Sequence, residues 1–259
     1  MNPIDIFKKE VADNICQLGD DKDVQALSRI WSRETNQHKY TYNFSWLGRP
    51  IIQYPQDMVA MQELIWSIKP DLIIETGIAH GGSLIFSASM LAQLDMCDAI
   101  ESGEKFDPKV SKRKVLGIDI DIRAYNRVAI VEHPMASRIQ MIQGSSIARE
   151  VIEQVYAFAA HYSRILICLD SNHTHEHVLE ELKAYAPLTT RESYCVVMDS
   201  LIEDMPREMF ANRPWGPGNN PKTAVWEYLK THPEFEIDKS IQNKLLITVA
   251  PDGYLKRVA

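Results

Sequence analysis

An aspartate closes an apolar run, and three histidines follow within a few positions: residues 168–178 read CLDSNHTHEHV. Carboxylates and imidazoles at such spacing can hold a metal ion or move protons. A second run, SYCVVMDS at 193–200, closes on Asp199. If both runs are neighbouring strands, Asp170 and Asp199 converge as a hard-cation site, suited to Mg²⁺ with water in the remaining positions. Residues four apart share a helical face. His173 and His177 could therefore join Asp170 in a zinc site or in the His/Asp facial triad of an iron-dependent hydroxylase. The plainer alternative is a helix start, with Asn172 or Thr174 as N-cap and His175 and His177 solvated.

Those side chains need a scaffold. Short apolar runs at 71–76, 114–120, 138–144, 163–170 and 193–200 alternate with helical stretches near 57–68, 81–94, 123–132, 146–161, 174–186 and 222–231. Such alternation predicts an α/β fold, a doubly wound and mostly parallel sheet covered on both faces. Two further strands are expected in EFEIDKS and KLLITVAPDGYLKRV, the last entering the sheet antiparallel. Residues 95–113 read as an exposed charged insertion, and 201–221 as a long loop of the kind that carries function. The chain divides at 1–54, an N-terminal helical extension with an entry loop, and 55–259, the main domain. In the extension, Val24, Leu27, Ile30 and Trp31 share one face, expected to pack on the main domain or another subunit.

The chain has 259 residues, 28 basic and 35 acidic, for a net charge of −7. That balance argues against a general nucleic-acid partner. No apolar run approaches the roughly 18 residues needed to span a bilayer. The first residues lack the order of a signal peptide. Four cysteines without CxxC spacing suit reduced thiols and a cytoplasmic location.

In an open α/β sheet ligands bind beyond the carboxyl ends of the strands. After the first run stands ETGIAHGGS, with Glu75, Gly77, Gly81, Gly82 and Ser83. It is neither GxGxxG nor a Walker loop. E-x-G-x-x-x-G resembles the first motif of S-adenosylmethionine-dependent methyltransferases, whose turn passes beside the methionine part and ribose of the cofactor. In GIDID, Asp119 closes the second run and could accept both ribose hydroxyls. GSS at 144–146 places Ser145 where it could border adenine.

Five segments, WLGRPIIQYPQDM, KPDLIIETGIAHGGS, GIDIDIR, LDSNHTHEHVLEELKAYAPL and RPWGPGNNPKTAVWEYL, together resemble the cephalosporin hydroxylase family across roughly residues 40–258. Despite its name, that family is built as S-adenosylmethionine-dependent methyltransferases and includes rhamnosyl O-methyltransferases. The resemblance implies a seven-stranded Rossmann-like methyltransferase fold, a divalent metal in some members, and oligomeric assembly. In the metal-dependent O-methyltransferases that this pattern resembles, the ion sits on carboxylates at these two strand ends, and the general base lies three residues after the first, at His173. Asp170 would then serve both metal and cofactor. One departure stands out: Met198 occupies a position where the family often carries an acid, and Ser200 or water is expected to fill that coordination place. Trp215 and His175 are expected to meet the substrate, under a loop around residues 213–221 able to move as a lid. Arg213 and Arg49 are candidates for an anionic group.

The expected activity is therefore O-methylation of a hydroxyl on a sugar or another polar secondary metabolite. S-adenosylmethionine and Mg²⁺ are the cofactors, a small molecule or glycan the substrate, and a homo-oligomer the assembly. The competing readings are the iron-dependent hydroxylase and a catalytically inactive partner subunit, the latter resting on Met198.

Overall fold

A computed structural model describes residues 2–259. Two helices come first, α1 (Pro3–Asp20) and α2 (Lys22–Asn36), followed by a hairpin of β1 (Phe44–Trp46) and β2 (Arg49–Ile51). Then α3 (Pro55–Ile68), β3 (Leu72–Thr76), α4 (Gly82–Ser102), β4 (Lys114–Asp119), α5 (Ala124–Val131) and β5 (Ile139–Gln143) alternate. They are followed by α6 (Arg149–Ala159), β6 (Ile165–Leu169), α7 (His175–Tyr185), β7 (Tyr194–Val197), α8 (Pro221–Tyr228), β8 (Phe235–Ile237), α9 (Lys239–Leu245) and β9 (Tyr254–Arg257).

Seven strands form one sheet in the order β5-β4-β3-β6-β7-β9-β8. The pairings from β5 through β7 are parallel, and β9 runs antiparallel to both β7 and β8. The seven-stranded sheet starts at β3, winds out through β4 to β5, then crosses back to β6. The crevice for a ligand therefore lies beyond the ends of β3 and β6, where the order reverses. Successive strand residues point to opposite faces. Ile73, Val115, Leu166 and Val196 pack on one side with residues of α3 and α4. Leu72, Ile74, Leu116 and Ile167 pack on the other with α6, α7 and α8. Both faces are covered, as the unbroken apolar runs predict.

The structure differs from the sequence reading in four places. First, α4 continues to Ser102, through the first part of the expected insertion. Its acids are accommodated because Arg113 and Arg138 bind Asp95, and Arg113 also bonds Asp98 at 2.7 Å. Second, the expected strand from Lys244 begins as the end of α9. Asp238 caps that helix through Ser240 N–H at 3.0 Å. Val249 N–H donates to Asp57 at 2.9 Å instead of to a ladder, and only Tyr254–Arg257 is strand. Third, of the two packings expected for the apolar face of α2, the one on the main domain does not hold for Leu27 and Ile30, which face solvent while Ser28 and Ser32 are buried. Trp31 still packs edge-on against Tyr40, with ring centroids 4.9 Å apart. Fourth, α4 is long and apolar enough to cross a membrane by length and composition, and half of its apolar window is buried inside the fold. That apolar character belongs to a helix laid under the sheet, with Leu84, Ile85 and Leu91 fully buried.

The hairpin is anchored to α4. Trp46 Nε1–H donates to Ser89 Oγ at 2.9 Å. A Cβ at Gly82 would sit 2.1 Å from the Pro50 carbonyl oxygen, so only glycine lets the hairpin rest on the helix start.

Candidate active site

The glycine-rich turn is tied together by its neighbours. Gly77 has φ +90° and donates its N–H to Ile118 O at 2.8 Å. A Cβ there would meet the Asp170 carbonyl oxygen at 2.1 Å, so glycine permits the β3 and β6 ends to approach. Asp119 holds the turn from the other side. Its Oδ2 accepts from Ile78 N–H at 2.8 Å and Ala79 N–H at 3.2 Å, and its Oδ1 accepts from Asp121 N–H at 3.0 Å. A carboxylate has about four acceptor positions, so three are used and about one is left for a hydroxyl.

Three cavities run along the strand ends. The first, about 130 Å³, is lined by Gly77, Asp119, Ile120, Ser145, Ser146 and Ser171, among others. The second, about 220 Å³, is bounded by Gly77, His80, Gly82, Ser83, Asp170 and His173. The third, about 420 Å³, opens between Tyr42, Met205, Met209, Phe210, Arg213 and Trp215. His173 and Asp199 line both the second and the third. Of the expected cofactor residues, Gly77, Gly82, Ser83, Asp119, Ser145 and Asp170 line the first two cavities, Glu75 lines a small apolar cavity beneath Asp170, and Trp215 lines the third. Gly81, at φ +81°, is the N-cap of α4 beside them.

Carboxylates crowd the floor. Glu75 is 4% exposed and accepts a hydrogen bond from the Ser83 hydroxyl. Burial pushes its carboxyl up to about 7. Asp57 accepts from Thr248, from Val249 N–H at 2.9 Å and from Tyr254 OH at 2.7 Å, yet burial still raises it to about 6. Burial, then Asp199 and Glu75, raise Asp170 well above the usual carboxylate range. No lysine or arginine lines the first two cavities or the small apolar one beneath Asp170. The floor therefore gathers carboxyls that no basic side chain compensates, and a cationic ligand is favoured because it would restore their charged form.

Asp170, His173 and Asp199 each offer a donor atom within 4.8 Å of the other two. His173 Nε2 lies 3.3 Å from Asp199 Oδ2, and the ring meets Trp215 edge-on at 4.8 Å. The two carboxylates fit a small divalent ion, with the imidazole of His173 beside them. Met198 is 6% exposed and lines the apolar cavity beneath Asp170 with Glu75 and Asp57.

Several expected site residues are engaged elsewhere. Ser200 is fully buried and donates to Pro251 O at 2.7 Å, so it does not fill a coordination place. His175 meets no substrate cavity. Its N–H donates to Asn219 at 2.9 Å, its Nδ1 lies 2.8 Å from Thr223 Oγ1 and its Nε2 3.2 Å from Glu227, joining α7 to α8. His177 Nε2 lies 3.0 Å from Ser146 Oγ and 3.2 Å from Ser171 Oγ. That imidazole points toward the first cavity, so His173, His177 and Asp170 form neither the zinc site nor the facial triad. Thr174 is the N-cap of α7 but makes no side-chain cap bond; Asn172 instead braces the turn before it, accepting from Thr174 N–H at 2.9 Å. Arg49 is held by His80 O at 2.6 Å and Asn126 Oδ1 at 2.8 Å. The loop before α8 is pinned rather than free: Glu203 accepts from Gly218 N–H at 2.7 Å and Asn219 donates to Pro214 O at 2.8 Å.

Gln53, Tyr42 and His80 were not anticipated from the sequence. Gln53 Nε2 donates to Asp170 Oδ2 at 3.3 Å. Gln53 and Tyr42 come from the segment before α3, and no local spacing links them to the strand ends.

The family model described as Rhamnosyl O-methyltransferase/CmcI matches residues 38–258. The chain belongs to that family. It is similar to a rhamnosyl O-methyltransferase of Mycobacterium bovis (strain BCG / Pasteur 1173P2), 30% identical over 231 residues, covering 85% of this chain and 83% of that protein. A rhamnosyl O-methyltransferase of Mycobacterium leprae (strain TN) is 30% identical over 229 residues, covering 85% and 88%. Among solved structures, a CmcI apo structure superposes with TM-score 0.53 at 19% identity, covering 84% of this chain and 77% of that one. A CmcI structure with Mg and SAM gives 0.51 at 20% identity, covering 84% and 78%. These likenesses confirm the Rossmann-like methyltransferase fold. The family segment begins just after α2 and contains every residue of the three cavities except Asn36.

Proposed function

We propose that this S-adenosylmethionine-dependent O-methyltransferase methylates a hydroxyl of a sugar, with His173 as general base. The observation that carries the reading is the shared wall: His173 and Asp199 stand between the cofactor-side cavity and the largest cavity. A base there reaches an acceptor oxygen aligned with a donor methyl group. The relatives named rhamnosyl O-methyltransferase support a sugar acceptor.

When bound, S-adenosylmethionine supplies an electrophilic sulfonium methyl, and Mg²⁺ supplies a Lewis acid that lowers the pKa of the acceptor hydroxyl. Asp170 and Asp199 hold the ion, and Gln53 fixes the Asp170 carboxylate. Asp119 and the glycine-rich turn receive the ribose, beside Ser145. Glu75 lies toward the methionine end. His173 takes the hydroxyl proton, and Asp199, 3.3 Å away, stabilises the imidazolium that results. Alignment of donor, carbon and acceptor supplies much of the rate. The exposed Ile4, Phe7, Leu27 and Ile30 on α1 and α2 are where we place a homo-oligomer contact, which light scattering measures.

Titration with S-adenosylhomocysteine, followed by radiolabelled methyl transfer to rhamnosides with Mg²⁺ or chelator, tests the function. Binding, transfer and chelator sensitivity are expected, and Asp119→Ala weakens S-adenosylhomocysteine severalfold. Absence of binding at millimolar S-adenosylhomocysteine overturns the proposal.

A further inference from the structure

The acceptor cavity carries a charge pattern that the chain as a whole does not. Basic residues are outnumbered 28 to 35. Yet apart from His173 and the metal-side Asp199, the ionisable side chains on the walls of the 420 Å³ cavity are Lys39 and Arg213, both cations (tyrosine aside). Neither makes an ion pair among the described residues, whereas Lys222 and Lys239 nearby are paired with Asp204 and Asp252.

The two cations are placed alike. Lys39 Nζ lies 5.8 Å from the Tyr42 ring centroid, and the Arg213 guanidinium 5.2 Å from that of Trp215. Tyr42 and Trp215 themselves line the cavity. Each ring thus offers a cation a resting place without neutralising it. The other candidate arginine, Arg49, is held by backbone and Asn126. The same walls carry apolar side chains, Ile52, Leu201, Met205, Met209 and Phe210 among them, beside the neutral polar Asn36, Thr41 and Gln53. A volume of 420 Å³ is in the range of sites that enclose more than a bare ring.

Resting on the methyltransferase reading, we infer that the acceptor is an anionic glycoside: a hydroxyl-bearing ring whose phosphate or carboxylate is received by Lys39 and Arg213. The ring lies against Trp215 and the methionines, and its reacting hydroxyl faces His173. The anion gives orientation as well as affinity, because Lys39 and Arg213 are wall residues separate from His173 and Asp199, which face the reacting hydroxyl.

The test is calorimetric titration of the full chain with rhamnose 1-phosphate, methyl glucuronoside and neutral methyl rhamnoside, with and without S-adenosylhomocysteine and Mg²⁺. At least one charged probe is expected to bind roughly 5–10-fold tighter than the neutral one, the scale of two exposed ion pairs. Whether phosphate or carboxylate leads identifies the anion. The advantage shrinks as salt is raised and disappears in a Lys39→Ala, Arg213→Ala double variant that still binds S-adenosylhomocysteine. Equal binding of neutral and charged probes, no binding of either charged probe, or a preference that survives the double variant overturns the inference. Failure of S-adenosylhomocysteine to bind while the charged preference persists would instead strike the transferase reading alone.

Discussion

Two acidic regions of this molecule are treated in opposite ways. At the far side of α4, Asp95 and Asp98 are met by Arg113, Arg138 and Lys69, and Arg138 is 1% exposed. There Arg113 draws the Asp98 carboxyl below its usual range. At the strand ends, Asp57, Glu75 and Asp170 have no basic partner, and burial pushes all three up. In the first region every carboxylate has a basic partner, and the network ties the end of α4 to the segment before β4 and to the start of β5. The second is left short of positive charge in a cleft, as expected of a place that receives a cation. Buried charge alone does not mark a functional site; an unbalanced sign beside a cavity does.

The contrast can be broken by substitutions on each side. His173→Ala should lower kcat by roughly 10²–10⁴-fold while leaving the melting curve and S-adenosylhomocysteine affinity in place. Unchanged turnover would remove the base from the cleft. Arg138→Met should do the reverse, costing about 1–3 kcal/mol in urea unfolding because Asp95 loses one of its two charged partners and keeps Arg113, with little change in activity once folded. A loss below about 1 kcal/mol, the scale of an exposed pair, would mean that this network is no more than surface decoration.

Glu75 gives a pH test of the unbalanced side. Its folded-state value of about 7 lies above its ordinary 4.5, so between those values the folded state holds the extra proton. Stability should therefore fall as pH rises through that window and level off above it. Glu75→Gln should flatten the slope and stabilise the protein at pH 8 by up to about 3 kcal/mol. A variant with the wild-type slope would place the imbalance elsewhere. The smallest effect belongs to His175→Ala, which should cost about 1–2 kcal/mol of stability and leave KM unchanged. A raised KM would return this histidine to the substrate side.

Much of this was legible in one dimension. Apolar runs ending in Glu75–Gly77, Asp119, Asp170 and Asp199 are strand ends whatever the details, because buried parallel strands need unbroken apolar residues. The alternation of run and helix then sends those ends to one crevice. The histidines were not separable in the same way. His173, His175 and His177 are two apart, and sequence spacing cannot tell which meets a cleft, which meets α8 and which meets the end of β5. Ser200 failed as a ligand because the turn after β7, with Asp199 at φ +55°, aims its hydroxyl at Pro251. On α2 the periodicity was real, but periodicity names a face and not the direction it faces. The serine side turned inward.

By itself, then, the chain's order of residue types determined the layers, the sheet and the glycine turn, because these depend on local period and on where backbone must pass without a Cβ. Tertiary structure decided the charge balance of the cleft, the separate fates of three histidines, and the arrival of Gln53, Tyr42, Lys39 and Arg213 around a single cavity. Those outcomes depend on distances between segments up to about 170 residues apart in the chain, and no local pattern encodes such distances.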